Sequence, residues 1–309
     1  MTIALGIVVA YMVGDGGEGL LDVHLDRIER HTRVPYVIHG SATRLIASSR
    51  LRLEQHPQVR LHDLPPTSLR GAEEHSGYLE PLVAHAIADG ATHIAILHVD
   101  SFPVRDGWVE TLVGTLSNAV AFATIEGIDT ACLVFHRDFY LEHRPSFLVA
   151  RETQRSAAYA AFRRSTGVQL HHSGTGFGFE AHQRHLSWHS MRATSRDRSS
   201  GAAIYDDAVF HLKGALSLTR QLEQGGRSPE TSARTRPGSL GRLGSRRFER
   251  ILRAARAVVP SRLREKVRAR FPGSASRFID EPRVLWHAQA RDRLLADPDG
   301  FIEQLRGRG

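Results

Sequence analysis

Cysteine is nearly absent from this chain; Cys132 is the only one. A single thiol excludes an intramolecular disulfide and a cysteine-rich zinc site, and it fits a reducing cytoplasm. Lysine is almost as scarce. It stands only at 213 and 266, so 39 of the 41 basic residues are arginine. Such a skew follows genomic composition as readily as phosphate binding, so arginine counts alone argue little. Long apolar runs are missing too. The opening stretch, Ile3 to Val13, is too short to cross a bilayer. It lacks the basic residues that precede a secretory signal core and meets Asp15 and Gly16 at once, so it reads as a first buried strand.

What is present is ordinary for a globular protein: 309 residues with 41% hydrophobic content, enough to bury a real core. The first two-thirds alternate short apolar runs with amphipathic stretches, which predicts βαβ units. Ile3–Tyr11 predicts a strand covered on both faces. Leu21, Leu25 and Ile28 predict a helix over 20–30, and Leu79, Leu82, Val83, Ala86 and Ile87 another over 78–88. Short strands are expected at 35–40, 59–64, 119–124 and 130–135, with a turn at Glu126-Gly127 before the last. His93–Val99 is a strongly apolar strand running straight into Asp100-Ser101. Residues 151–164 predict a helix. Residues 172–203, rich in Gly, Ser, His and Arg without a period, are expected to be loop around a site or weak structure.

The net charge of +8 has one address. Between 246 and 270 nine arginines and Lys266 face only Glu249 and Glu265, so the rest of the chain is close to neutral. A Gly/Ser/Pro/Arg-rich linker over 225–244 precedes this segment. Phe248, Ile251, Leu252, Ala255, Val258 and Val259 then make a basic amphipathic helix up to Pro260, followed by a second over 263–271 and a further helical stretch over 284–305. The expected organisation is a main domain over 1–222, a linker over 223–245 and a basic helical extension over 246–309. The basic helices either pack on the main domain or meet an anionic membrane surface, because arginines flank an apolar stripe. Nucleic-acid binding is disfavoured: aromatics are few and no known module is present.

The residues that carry chemistry lie at the end of the 93–99 strand. A carboxylate just past a buried strand sits at the carboxyl edge of the sheet, where open α/β folds bind ligands. Asp100 has that position, and His98, two residues earlier, shares its face. A divalent cation held by such an Asp and a second ligand would stabilise a leaving diphosphate as a Lewis acid. The bland alternative is an Asp capping a turn before Pro103.

Three pieces, in order, carry a resemblance. Tyr78-Leu79-Glu80-Pro81 leads to His93–Leu97, His98-Val99-Asp100-Ser101 and Gly107-Trp108-Val109. Thr130–Phe135 leads to His136-Arg137-Asp138-Phe139, and Asp206-Asp207-Ala208-Val209-Phe210-His211 follows. Over roughly residues 1–220 this resembles the family-2-like nucleotide-sugar glycosyltransferases of GT-A fold. The resemblance implies an α/β, Rossmann-like mixed sheet, mostly parallel and flanked by helices. It also implies a cytoplasmic enzyme, either free or peripheral at the inner face of the membrane, acting in cell-surface polysaccharide synthesis. The cofactor would be Mn2+ or Mg2+, held by Asp100, His211 and His98. The donor, a nucleoside-diphosphate sugar, would meet His98, Asp100, Ser101, His39 and Ser41; the acceptor would be a glycan or lipid-linked sugar. Inverting displacement needs a carboxylate base, for which Asp207 leads, ahead of Asp206 and Glu180. The chain departs from the family pattern at three places: His98 replaces the first Asp of Asp-x-Asp, His39-Gly40-Ser41 stands where Asn-Gly-Ser or Asp-Gly-Ser is usual, and the usual Glu-Asp pair has no clean counterpart. A protein of this fold without catalysis, serving as a scaffold, therefore stays open.

Gly174-Thr175-Gly176-Phe177-Gly178 lacks the Lys-Ser/Thr of a phosphate-binding P-loop, and is expected to be a flexible loop lining the acceptor pocket. Trp108 is expected to be a core anchor.

Overall fold

A computed structural model of the chain describes residues 2–69, 71–168, 172–215 and 281–307. Its main sheet has seven strands: β1 (Leu5–Val9), β2 (Tyr36–Ser41), β3 (Val59–His62), β4 (His93–Leu97), β6 (Val120–Ile125), β7 (Asp129–His136) and β8 (Ser187–Met191). Their spatial order is β3-β2-β1-β4-β7-β6-β8, and only β7 runs antiparallel to its neighbours. This is a mixed, mostly parallel, Rossmann-like sheet flanked by helices, as expected. The chain steps outward from β1 to β3 and then crosses back to β4 on the other side of β1. The β1–β4 boundary is therefore the switch point at which such sheets open for ligands.

Strand periodicity explains why the apolar runs are continuous. Ile7 and Val9 of β1, Ala95 and Leu97 of β4, and Cys132 and Val134 of β7 face one core. Val8, Ile94, Ile96, Leu133 and Phe135, alternating with them, face the other. The first core is covered by α1 (Glu18–His31), α2 (Ala47–Glu54) and α4 (Trp108–Val113). The second is covered by α3 (Ala72–Ala88), α5 (Arg137–His143), α6 (Ala157–Thr166) and α7 (Thr175–Gln183). Trp108 is the expected anchor: wholly buried, with its indole N–H donating to Thr32 Oγ1 at 3.1 Å.

A second, four-stranded antiparallel sheet has the order β5-β11-β10-β9, from β5 (Ser101–Pro103), β9 (Ala193–Asp197), β10 (Ala202–Tyr205) and β11 (Val209–Leu212). It packs on α1 and on two C-terminal helices, α8 (Glu281–Ala296) and α9 (Pro298–Arg306), through Phe102, Phe210, Leu294, Phe301 and Ile302. Residues from Trp286 on thus belong to the same compact unit as the main domain, although the sequence grouped them with the basic extension. The single helix expected over 284–305 is two, because Asp297 caps Gly300 N–H at 2.9 Å and Pro298 starts the next helix. The linker and the two basic helices expected before residue 272 lie outside the described residues.

Residues 172–203 correct the expectation of loop or weak structure: they hold α7, β8, β9 and the start of β10. The glycines that hid the helix serve close packing. A Cβ at Gly176 would run into the Ser146 carbonyl, and one at Gly178 into Ile128. Gly174–Gly178 is therefore the first turn of a buried helix instead of a flexible pocket loop.

Candidate functional site

β4 ends at Leu97, and the chain turns at once. Ser101 N–H donates to the His98 carbonyl at 3.0 Å, and His98 N–H donates to Ser101 Oγ at 2.9 Å. Ser101 Oγ also donates to the Ala131 carbonyl of β7, which ties the turn to the main sheet. The chain then enters the second sheet as β5, where His211 of β11 lies opposite Ser101. Leu212 N–H donates to the Asp100 carbonyl at 2.9 Å. A local turn and one antiparallel pairing thus bring His98, Asp100 and His211 together.

Their geometry is that of a ligand cluster. Asp100 Oδ1 lies 3.8 Å from His211 Nε2 and 3.9 Å from His98 Nδ1, and the three donor atoms fall within 4.8 Å of one another. Such separations suit donors that each reach one central cation. Two nitrogens and one oxygen make an acceptable set for manganese. The Oδ2 atom of Asp100 accepts from Ala215 N–H at 3.1 Å, which leaves Oδ1 for the cluster. Asp100 and His211 are buried, and His98 is partly open.

A second layer orients His98. Thr130 Oγ1 lies 3.0 Å from His98 Nε2, and the chain of contacts continues through Ser173 Oγ (2.9 Å) to His75 Nδ1 (3.3 Å). A proton on Nε2, donated to Thr130, leaves the Nδ1 lone pair directed at Asp100. Burial pushes Asp100 up to about 6 and His211 down to about 4, and it lowers His98 as well. At neutral pH the set is one carboxylate and two neutral imidazoles, the forms that ligate metal.

Asp129, at the head of β7, was missed by sequence reasoning. Burial alone would raise its pKa, but the His98, His211 and His172 imidazoles outweigh that and hold it at about 2. Its own Oδ1 accepts from Ala131 N–H at 3.1 Å. The only trace in the sequence is an Asp after the Glu126-Gly127 turn. Its proximity to Asp100 depends on β7 running antiparallel to β4.

Other expected site residues sit elsewhere. Ser101 and Ser41 serve as local ties, Ser41 Oγ donating to the Tyr11 carbonyl at 3.4 Å. His39 is buried against His62 and Asp89. Glu180 is on α7, paired with Arg184 at 2.9 Å. Asp206 and Asp207 are the first two of the three residues that link β10 to β11, both in the left-handed region with φ of 48° and 51°. Asp206 accepts from Arg192 N–H at 2.9 Å and lies 2.8 Å from His189 Nε2. Three residues separate Asp207 from His211, a path of roughly 13 Å along an extended chain.

No protein-family model matches the chain, and no curated protein matches it. Among solved structures it is similar to a mannosyltransferase from Pyrobaculum calidifontis in complex with GDP-Man and Mn2+, at 12% identity, covering 98% of this chain and 84% of that one, with a TM-score of 0.39. It is also similar to mouse xyloside xylosyltransferase 1 in its apo form, at 10% identity over 62% of this chain and 87% of that one, TM-score 0.39. A Drosophila galactosyltransferase 7 mutant in complex with manganese, UDP-Gal and xylobiose matches at 12% identity over 78% and 83%, TM-score 0.33. Likeness at these scores is loose, and the functional reading rests on the strand-end cluster instead.

Proposed function

We propose that this chain is a glycosyltransferase that moves a sugar from a metal-bound nucleoside-diphosphate sugar to a glycan or lipid-linked acceptor. The observation that carries this reading is the convergence of His98, Asp100 and His211 at the carboxyl end of β4, beside the switch point of the sheet. These three residues would hold Mn2+ or Mg2+, and the ion would supply Lewis-acid stabilisation of the departing diphosphate. Asp100 provides the charge that fixes it, while Thr130 sets the His98 ring. Asp129, ionised at neutral pH, adds a second negative charge beside the cluster. Two carboxylates repel a bare diphosphate, so nucleotide binding should require the cation.

The same reading takes the displacement to be inverting, with an acceptor hydroxyl attacking the anomeric carbon as a carboxylate takes its proton. Asp129, held at about 2, is a weak base and better suited to holding charge. A place in cell-surface polysaccharide synthesis, in the cytoplasm and peripheral at the inner face of the membrane, is supported by the arginine-flanked apolar stripe over 246–271. No helix among the described residues is long and apolar enough to cross a membrane.

One observation favours a second reading, a binding protein of the same fold without catalysis: Asp100 and His211 are 5% and 3% exposed, little for a site that must admit a donor. Calorimetry with UDP and GDP, each with and without manganese, on the wild type and on Asp100→Ala separates the two. Metal-dependent binding that the variant loses supports the transferase. A folded protein that binds neither nucleotide supports the scaffold.

A further inference from the structure

The chain of contacts behind His98 ends on a second buried histidine, His75, in the first turn of α3. Its ring meets that of His98 edge-on, with 4.7 Å between centroids. Two buried hydroxyls link the imidazoles. His98 Nε2 lies 3.0 Å from Thr130 Oγ1, Thr130 Oγ1 lies 2.9 Å from Ser173 Oγ, and Ser173 Oγ lies 3.3 Å from His75 Nδ1. Among the described residues neither hydroxyl has another hydrogen-bond partner.

Each hydroxyl has one hydrogen to give. Both imidazoles are neutral at pH 7, their pKa values lowered by burial. With every hydrogen passed along the chain, only two directions are possible. In the first, His98 Nε2–H donates to Thr130, Thr130 to Ser173, and Ser173 to the Nδ1 lone pair of His75. His98 Nδ1 then keeps its own lone pair for a cation. In the second, His75 Nδ1–H donates to Ser173, Ser173 to Thr130, and Thr130 to His98 Nε2. The hydrogen of His98 then sits on Nδ1 and blocks that nitrogen as a ligand. It would also face Asp100 Oδ1 at 3.9 Å, beyond hydrogen-bond reach. The geometry therefore favours the first direction, and the hydrogen bonds of such a chain reinforce one another.

We infer that His75 is a positioning residue for the strand-end site: by accepting from Ser173 it fixes the tautomer of His98 and holds Nδ1 ready for the metal. This rests on the reading of His98, Asp100 and His211 as ligands. Without an acceptor at position 75, the Ser173 hydrogen turns back to Thr130, the Thr130 hydrogen turns to His98 Nε2, and the second direction wins. The first turn of α3 thereby acts on the site through two hydroxyls.

The test combines calorimetry of manganese with full-length protein after chelator treatment and NMR of nitrogen-labelled imidazoles in the metal-free protein. In the wild type, His98 and His75 should each carry the ring hydrogen on Nε2. His75→Phe keeps a ring but no acceptor; it should move the His98 hydrogen to Nδ1 and weaken manganese binding about tenfold. His75→Asn, whose side-chain oxygen can stand where Nδ1 stood, should restore both. Ser173→Ala cuts the chain one link nearer and should match His75→Phe, which decides the matter if the latter folds poorly. Melting in chelator reports damage to the fold separately. Manganese affinity lost in Asp100→Ala but unchanged in a folded His75→Phe would overturn this inference alone, as would a wild-type His98 with its hydrogen on Nδ1. Equal losses in His75→Phe and His75→Asn would do the same, since shape and not the acceptor would then be at work. Wild-type protein that binds no manganese would overturn the metal reading and this inference together.

Discussion

The end of β4 and the β2–β3 edge are both rich in histidine, yet they are built differently. At the end of β4 a carboxylate stands in the centre, with an imidazole on each side at 3.8 and 3.9 Å. At the β2–β3 edge the imidazoles face one another and the carboxylate stands behind them. The first arrangement puts a carboxylate oxygen at the carboxyl end of β4, where a hard cation would meet it. The second joins the end of α3 to strands. Residue type alone does not distinguish the two places; the position of the carboxylate relative to the imidazoles does.

Removing that central carboxylate should have the largest effect. Asp100→Ala is expected to lower manganese-dependent nucleotide affinity at least about a hundredfold, since it takes away both the charge and the ligand. Calorimetry checks this. If affinity survives, the comparison above collapses, because the strand-end cluster would then be no more a ligand site than the β2–β3 edge.

Packing comes next. Gly176→Ala drives a methyl group into the Ser146 carbonyl and should destabilise the fold by about 1–3 kcal/mol, measured by denaturant melts. Acid should act on both places through buried histidines. His24, His39, His93 and His211 are held near 4, and His75 near 3, by burial. The unfolded chain takes up protons at these residues near 6.5, before the folded chain does, so stability is full above that pH and falls as pH drops towards 4. Asp100, raised to about 6, works the other way, but it is one group against five. The melting temperature should therefore be highest above pH 7.

Manganese affinity should follow Asp100 itself. It should be nearly flat above pH 7 and about tenfold weaker at pH 5, because protonation of a group at about 6 removes the ligand. A midpoint well below 6 would shift the control to another group. The smallest effect is expected at the β10–β11 turn. Asp207→Gly suits a left-handed position and should change stability by only a few tenths of a kcal/mol, with nucleotide binding unchanged. A large loss of binding there would give Asp207 a role at the donor site.

The amino-acid pattern by itself determined the alternation of strands and helices, the two-sided burial of β1, and the placing of Asp100 past a buried strand. These are local properties: period, apolar content and turn residues act over a few positions. The resemblance to glycosyltransferases added His211. Tertiary structure decided what those local signals cannot carry. The antiparallel run of β7 brought Asp129 and Thr130 to His98, and the β5–β11 pairing brought His211 to Asp100. The β2–β3 register turned His39 towards His62 and Asp89, and the β10–β11 hairpin put Asp206 and Asp207 in its turn. Residues 172–203 were misjudged because glycines that permit close packing look, in sequence, like glycines that permit freedom. Strand partners are chosen by burial across the whole sheet, so no window of neighbouring residues records which side chains will meet.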